Sequence, residues 1–290
     1  MDAHSRLVSF FQFLGVDHVT DTLGAADIAL LETTAEFETR MKQAQPRPWG
    51  APETSVAVSS VEQRHEDHTC RPIVRTIDQY TALPMLTSAC PGWICYAEKT
   101  QPAVLPYIST TKSPQQILGT VLKRVVAAER NMDPKQVFHA TIMPCFDKKL
   151  EASRRDFYHA DFDVQEVDVV LTTIEILQFI EHHAHQLGKE PGDWLAALPS
   201  PTVGTPSGSV THLLTGHMLG TGTAMGLLDL ASATAGRNGS DGFAEFVFRR
   251  AAHDLFGVSF SPDEPLPYVQ GRNEDLHELI LERDGQVNLP

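Results

Sequence analysis

Apolar side chains at positions 7, 8, 10, 11, 13 and 14 recur with helical spacing across residues 5–14, and Gly15 follows where a left-handed residue would end a helix. A short strand is expected over residues 16–22, then a second helix over about 25–43 with Ile28, Leu30, Leu31, Phe37 and Met41 as its core. Leu83-Pro84-Met85-Leu86 is a strand-like apolar run leading to Pro91, which suits the first position of a helix and makes Cys90 its expected N-cap. Ser113-Pro114 repeats that signal for a helix ending near Arg130, where Asn131-Met132-Asp133-Pro134 breaks it. A strand over 137–142, a turn at Cys145 with its own helix, a strand over 167–171 and a helix begun by Thr172 or Thr173 follow in turn. Asp241-Gly242 opens a further helix to about Phe256, closed by Gly257, and residues 278–283 read as a late strand before an Asp-Gly turn. Strands alternating with helices in this way predict an α/β fold with a mostly parallel sheet.

Two stretches interrupt the alternation. Residues 45–80 carry Pro46, Pro48, Gly50, Pro52 and a polar run around Arg64, and read as an inserted loop. Residues 187–240 are loop-rich in Gly, Pro, Ser and Thr, although 213–230 is apolar enough to hold a buried element. The expected organisation is two α/β lobes, 1–133 with the 45–80 insertion and 134–290 with the variable 187–240 stretch.

Charge narrows the function classes. With 23 basic against 37 acidic residues the chain carries −14, which argues against direct nucleic-acid binding and against attraction to an anionic membrane. No apolar run approaches a bilayer span, and the N-terminus lacks a basic-then-apolar signal pattern, so the chain reads as soluble and intracellular. Four cysteines in 290 residues do not form a disulfide scaffold pattern.

Those cysteines, at 70, 90, 95 and 145, contain no Cys-x-x-Cys pair, so their number alone defines no four-iron site. Cys90 and Cys145 stand out because each lies where an apolar run turns into a helix, and the positive end of a helix favours a thiolate or a bound anion. Cys70 and Cys95 read as small buried side chains. His65-x-x-His68-x-Cys70 lacks a fourth zinc ligand at fixed spacing, and His182, His183 and His185 sit at a helix end where imidazoles meet exposed carbonyls. Gly216-His217-Met218-Leu219-Gly220-Thr221-Gly222 is a poor phosphate loop, neither following a clear strand nor ending in Gly-Lys-Ser/Thr.

Several motifs in order resemble the large domain of iron-only hydrogenases: residues 88–99 (Ser-Ala-Cys-Pro-Gly-Trp-Ile-Cys-Tyr-Ala-Glu-Lys), Ser113-Pro114-Gln115-Gln116, residues 143–154 beginning Met-Pro-Cys, and Asp168-Val169-Val170-Leu171-Thr172-Thr173. More closely the chain is similar to their non-hydrogenase relatives, the cytosolic iron–sulfur protein assembly factors, also called nuclear prelamin A recognition factor-like proteins. The resemblance implies Cys90 and Cys145 as metal and cofactor ligands, a 4Fe-4S cluster, and no catalytic residues. It also implies partners in the cytosolic iron–sulfur targeting complex, recipient apoproteins, and a cytoplasmic location with the nucleus as a second compartment.

Departures matter equally. The hydrogenases place a proton-relaying cysteine where Ala89 stands here, while Lys148 and Glu151 match a lysine facing the diiron subsite and a glutamate of the proton path. Two further cluster cysteines of the family lie in a segment beyond the Gly285-Gln286-Val287 motif, and both ends of this chain read as truncated. Two thiolates are too few for four-cysteine ligation, so weak cluster retention is expected. Two other readings remain open on sequence: an iron-only hydrogenase fragment, and a cluster-free scaffold competing for the same partners.

Overall fold

The computed structural model describes residues 3–44, 83–199, 242–261, 264–283 and 286–289. The chain opens with α1 (Ala3–Phe13), closed by Gly15 at φ +87° with Val16 N–H donating to the Phe11 carbonyl, the left-handed stop its sequence predicts. The strand expected after it is absent, and residues 16–22 run as irregular chain into α2 (Leu23–Gln43). Small residues explain where α2 goes. Ala25 and Ala29 let it approach α4 (Pro114–Thr120), burying Ile117, Leu118, Val121 and Val126 against them. Toward its other end, Phe37 and Met41 pack on α9 (Phe243–Phe256), whose Phe248, Ala251 and Ala252 form a second core with Leu266, Leu279 and Leu281.

Three further elements lie between those helices and carry the site: α3 (Pro91–Thr100), strand β1 (Ala140–Met143) and α6 (Asp147–Ala152). The α4 helix continues through a π-helical segment (Val121–Val126) into a last turn, α5 (Ala127–Glu129), so the expected end near Arg130 holds. β1 pairs in parallel with β4 (Val169–Thr172), and β4 turns directly into α7 (Thr173–Gln186). Thr172 caps α7 in a reciprocal capping box with Glu175, the spacing that marked this start in the sequence. On β1, Thr141 is buried and gives its hydroxyl proton to Gln115 Oε1 at 3.1 Å, while Ile142 faces outward.

The parallel pair is the only parallel sheet among the described residues. Three other two-stranded sheets are antiparallel: β2 (Tyr158–His159) with β3 (Val164–Gln165), β5 (Tyr268–Gln270) with β6 (His277–Leu279), and β7 (Leu281–Arg283) with β8 (Gln286–Leu289). The late strand expected over 278–283 is therefore split between β6 and β7. Leu83–Leu86 forms no strand either, making a single parallel bridge from Leu86 to Ile108. A third core joins α1 to α7 and α8 (Pro191–Ala197) through Phe10, Ile180, Ala184 and Trp194. No described helix is long and apolar enough to cross a membrane. Most of the expected 45–80 loop and of the 187–240 stretch, including 213–230 and the Gly216–Gly222 segment, lies outside the described residues.

A polar layer binds the π segment to the chain entering β4. Glu166 is fully buried, contacted by Lys112, by the Thr120 hydroxyl at 2.9 Å and by His159 Nε2 at 3.0 Å. Lys123, also buried, pairs with Asp168 at 2.7 Å, and Asp168 accepts the His139 backbone N–H at 2.6 Å. His139 is buried with Nδ1 2.8 Å from the Glu166 carbonyl, which can only accept, so the ring proton sits on Nδ1. Burial, more than its charged neighbours, holds the His139 pKa below the usual histidine range.

Gly119 is where α4 meets this layer: a Cβ there would lie 2.4 Å from the Glu166 carbonyl oxygen. Alanine gains ~1 kcal/mol over glycine in an unhindered helix, but here it would press on backbone that has no rotamer to yield. Gly119→Ala should therefore destabilise the chain by about 1–3 kcal/mol, the cost of an overpacked core. Guanidinium unfolding at neutral pH would detect this, and a midpoint equal to or above wild type would contradict the close approach.

Lys149 spans from α6 to Glu175 at 2.6 and 2.8 Å, and this bond with the Thr172 backbone N–H depresses the Glu175 pKa from near 4.5 to about 2. A depressed carboxylate stabilises the fold above its unfolded pKa, and that contribution fades as pH falls through the folded one. The stability difference between wild type and Glu175→Gln should therefore be full above pH 4.5 and close as pH falls toward 2. Urea titrations across that window would show it; a difference constant with pH would show that the pair does not couple to folding.

Candidate functional site

Cys90 is the N-cap of α3 in an extended conformation, with Pro91 at the first helical position, as the sequence predicts. Its backbone N–H donates to Ser88 Oγ at 3.1 Å, and its thiol is exposed. What fixes the approach to Cys90 is an ion pair on α2. Arg40, buried, donates to the Tyr107 and Ile108 carbonyls at 3.3 and 3.0 Å, while Glu36 accepts from Ser109 Oγ at 2.7 Å and from the Thr110 backbone. The 106–110 segment so held bridges Leu86 through two 2.7 Å backbone bonds, four residues before Cys90. Burial works to raise the Glu36 pKa, but the bonds from Ser109, Arg40 and Thr110 outweigh it and the carboxylate stays ionised below the usual range.

Cys145 follows β1, but Phe146 and not Cys145 occupies the cap position of α6. That correction to the expected strand-to-helix symmetry matters, because α6 has only six residues and contributes a short dipole. The half-buried Cys145 Sγ donates to Asp147 Oδ2 at 3.6 Å. Across from it, a Cβ on Gly92 would stand 2.5 Å from the same Asp147 oxygen and 3.6 Å from Cys90 Sγ. Gly92 thus leaves room for the Asp147 carboxylate, which contacts the Cys145 thiol on one side and borders the Gly92 position next to Cys90 on the other.

Beside the thiols lies a polar network. Glu151 Oε2 accepts from Ser113 Oγ at 2.9 Å, Lys148 Nζ at 3.1 Å and Gln115 Nε2 at 3.3 Å, and Gln115 also donates to the Lys148 carbonyl at 3.2 Å. Ser113 is the expected N-cap of α4 in backbone conformation, yet its hydroxyl makes no cap bond and serves Glu151 instead. Sequence placed Lys148 and Glu151 in a first helical turn; their joint use with α4 depends on contacts across more than thirty residues that no local pattern reveals.

A cleft of about 290 Å³ opens beside α3, lined among others by Cys95, Glu98, Ser113, Glu151, Arg154 and Phe157. Cys95, expected to be a small buried side chain, is instead half-buried and lines this cleft on α3. His183 stacks on Phe179 and lies 5.1 Å from the Trp194 ring centre, so it belongs to the α1–α7–α8 core. Among the described residues no group of three His, Cys, Asp or Glu side chains is assembled around a metal position. His65, His68 and Cys70 lie outside the described residues.

Residues 66–258 match the family described as iron only hydrogenase large subunit, C-terminal domain. The chain is 38% identical over 289 residues to the cytosolic Fe-S cluster assembly factor narfl of Xenopus tropicalis, covering 99% of this chain and 48% of that protein. It is 38% identical over 291 residues to cytosolic iron-sulfur assembly component 3 of Bos taurus, with the same 99% and 48% coverage. The chain thus spans about half the length of the curated relatives it matches. Among solved structures, an FeFe hydrogenase studied for oxygen inactivation of its H cluster superposes with TM-score 0.60 at 28% identity, covering 93% of this chain and 52% of that one. The apo FeFe hydrogenase HydA1 of Chlamydomonas reinhardtii gives 0.58 at 27%, with 93% and 51% coverage.

Proposed function

The chain belongs to the iron-only hydrogenase large-subunit family, and we propose that it is a member that works in cytosolic iron–sulfur protein assembly. The observation that carries this reading is the 38% identity along 99% of the chain to proteins named as cytosolic iron–sulfur assembly factors. Cys90 and Cys145 are proposed as two thiolates that hold a 4Fe-4S cluster, which would supply iron and sulfide for transfer or an electron-carrying centre. What supports this reading is that Cys90 Sγ borders the Gly92 position and Cys145 Sγ contacts the Asp147 carboxylate that reaches to it, so both thiols lie near one carboxylate at the starts of α3 and α6. Its proposed partners are proteins of the cytosolic iron–sulfur targeting machinery and recipient apoproteins, and its proposed places of work are the cytoplasm and the nucleus.

Hydrogen chemistry is not part of this reading. Ala89 precedes Cys90 and has no proton to give or take, and Lys148 and Glu151 neutralise one another at 3.1 Å. The fold neighbours are hydrogenases, so the alternative enzyme reading is tested directly. After anaerobic co-expression with the hydrogenase maturation machinery, the isolated chain should carry substoichiometric, weakly held iron and acid-labile sulfide that fall further in Cys90→Ala and Cys145→Ala, and should evolve no hydrogen. Hydrogen production lost in Cys145→Ala would overturn the non-enzymatic reading. Iron and sulfide equal in wild type and the two variants would overturn the ligand assignment.

A further inference from the structure

The β2–β3 hairpin pairs only Tyr158 with Gln165 and His159 with Val164, a ladder too small to hold itself in place. Arg124 of the π segment fastens it. The guanidinium carbon lies 5.7 Å from the Phe162 ring centre, and Nη2 stands 2.8 Å from His159 Nδ1. Lys135 adds one exposed pair, to Asp163 at 3.1 Å. An arginine has no lone pair to offer, so Nδ1 of His159 is the acceptor and the ring proton sits on Nε2. Nε2 comes within 3.0 Å of Glu166 Oε1 without the alignment of a hydrogen bond, and Glu166 Oε2 is buried with no partner either.

A proton added to the ring would occupy the one lone pair that the Arg124 bond needs. N–H would then face N–H, with positive charge on both sides. His139, in the same polar layer, behaves differently: its Nδ1 donates to the Glu166 carbonyl and goes on donating when the ring is charged. We propose that His159 is a proton-operated latch, which when neutral fastens the β2–β3 hairpin to the π segment through Arg124 and when protonated lets Arg124 and the hairpin part. Burial opposes the charged ring most, Arg124 and Lys112 oppose it as well, and Glu166 and Asp161 favour it; the balance holds the His159 pKa below the usual histidine range. A lowered pKa in the closed form makes the latch fully effective above the ordinary value of 6.5 and weakens it as pH falls through the closed value. Phe157, the residue before the hairpin, lines the cleft beside α3, so release of the hairpin frees one wall of that cleft.

Two measurements on the full chain test the latch. Proton NMR follows the imidazole resonances, with that of His159 assigned by its absence in His159→Gln. Hydrogen exchange read by peptide mass spectrometry, corrected for the intrinsic effect of pH, follows residues 157–166 against a reference peptide from α7. From about pH 7.5 to about pH 5 the opening constant of the wild-type hairpin should rise about threefold or more, with a tenfold ceiling for each unit by which the closed pKa lies below the open one. Glutamine offers a neutral acceptor and donor and does not titrate, so the rise should vanish in His159→Gln. Arg124→Gln removes the opposing charge and should move the His159 pKa upward and flatten the rise. Circular dichroism across the range shows whether each variant is folded; if His159→Gln is not, the wild-type titration and exchange decide alone, with Arg124→Gln assigning the resonance by its shift. Hairpin exchange that does not change with pH, a rise that persists in His159→Gln, or a native His159 pKa at or above 6.5 would overturn the proposal.

Discussion

The ion pair between Arg154 and Glu98 holds the site together. Arg154 follows α6 and donates twin bonds of 2.6 and 3.0 Å to Glu98 near the end of α3, with both side chains mostly sheltered from water. The Glu98 bonds are the main reason the guanidinium is held even more firmly protonated than a free arginine. A bidentate pair fixes orientation as well as distance. It therefore sets how α3, which begins at Cys90, lies across α6, which begins just after Cys145. Gly92 then allows the contact to close, because a Cβ would meet the Asp147 carboxylate. Removing either half of the clamp takes away a bidentate link between α3 and α6 that fixes their mutual orientation.

The remainder of the polar interior has a different task. Glu151 collects Ser113, Gln115 and Lys148, tying α4 to α6, while Glu166 and Asp168 tie the π segment to the entrance of β4. Most of these groups find partners in one another, while Glu166 Oε2 stays buried without a hydrogen bond. Lys148 and Glu151, which the hydrogenase resemblance places beside a diiron centre and on a proton path, are here each other's partners with about 12% of each side chain exposed. Breaking such a sheltered pair leaves an uncompensated charge, so both residues are retained for architecture even without hydrogen chemistry. This is a physical reason why a hydrogenase-like motif persists in a chain proposed to work in assembly.

What was legible in the sequence was local. Gly15 and Gly257 end their helices in the left-handed region, Pro91 starts α3 behind Cys90, and the Thr172–Glu175 spacing forms its capping box. Each signal is complete within a few residues. The failures were tertiary. Residues 83–86 look like a strand but find only the 108 position to bridge, and 16–22 find no strand partner among the described residues. The Ser113 hydroxyl leaves its own helix for a carboxylate thirty-eight positions away. The placement of Asp147 is tertiary in the same way: its carboxylate fits beside Gly92 of another helix, a relation without periodicity or spacing to announce it. Spacing between the cysteines names no ligand set; position at a strand-to-helix turn sets Cys90 and Cys145 apart, and only the family resemblance makes them cluster ligands.

The convergence of Cys90 and Cys145 under the Arg154–Glu98 clamp is the claim on which the site depends. It is tested by treating the native chain, carrying Cys70→Ser and Cys95→Ser, with dibromobimane, which fluoresces strongly only when both of its arms have reacted with neighbouring thiols. The account predicts an intramolecular Cys90–Cys145 bridge, found as a linked peptide pair by mass spectrometry, that is lost in Arg154→Ala and in denaturant. Single adducts alone in the native chain, or a bridge that forms equally well in Arg154→Ala, would contradict it.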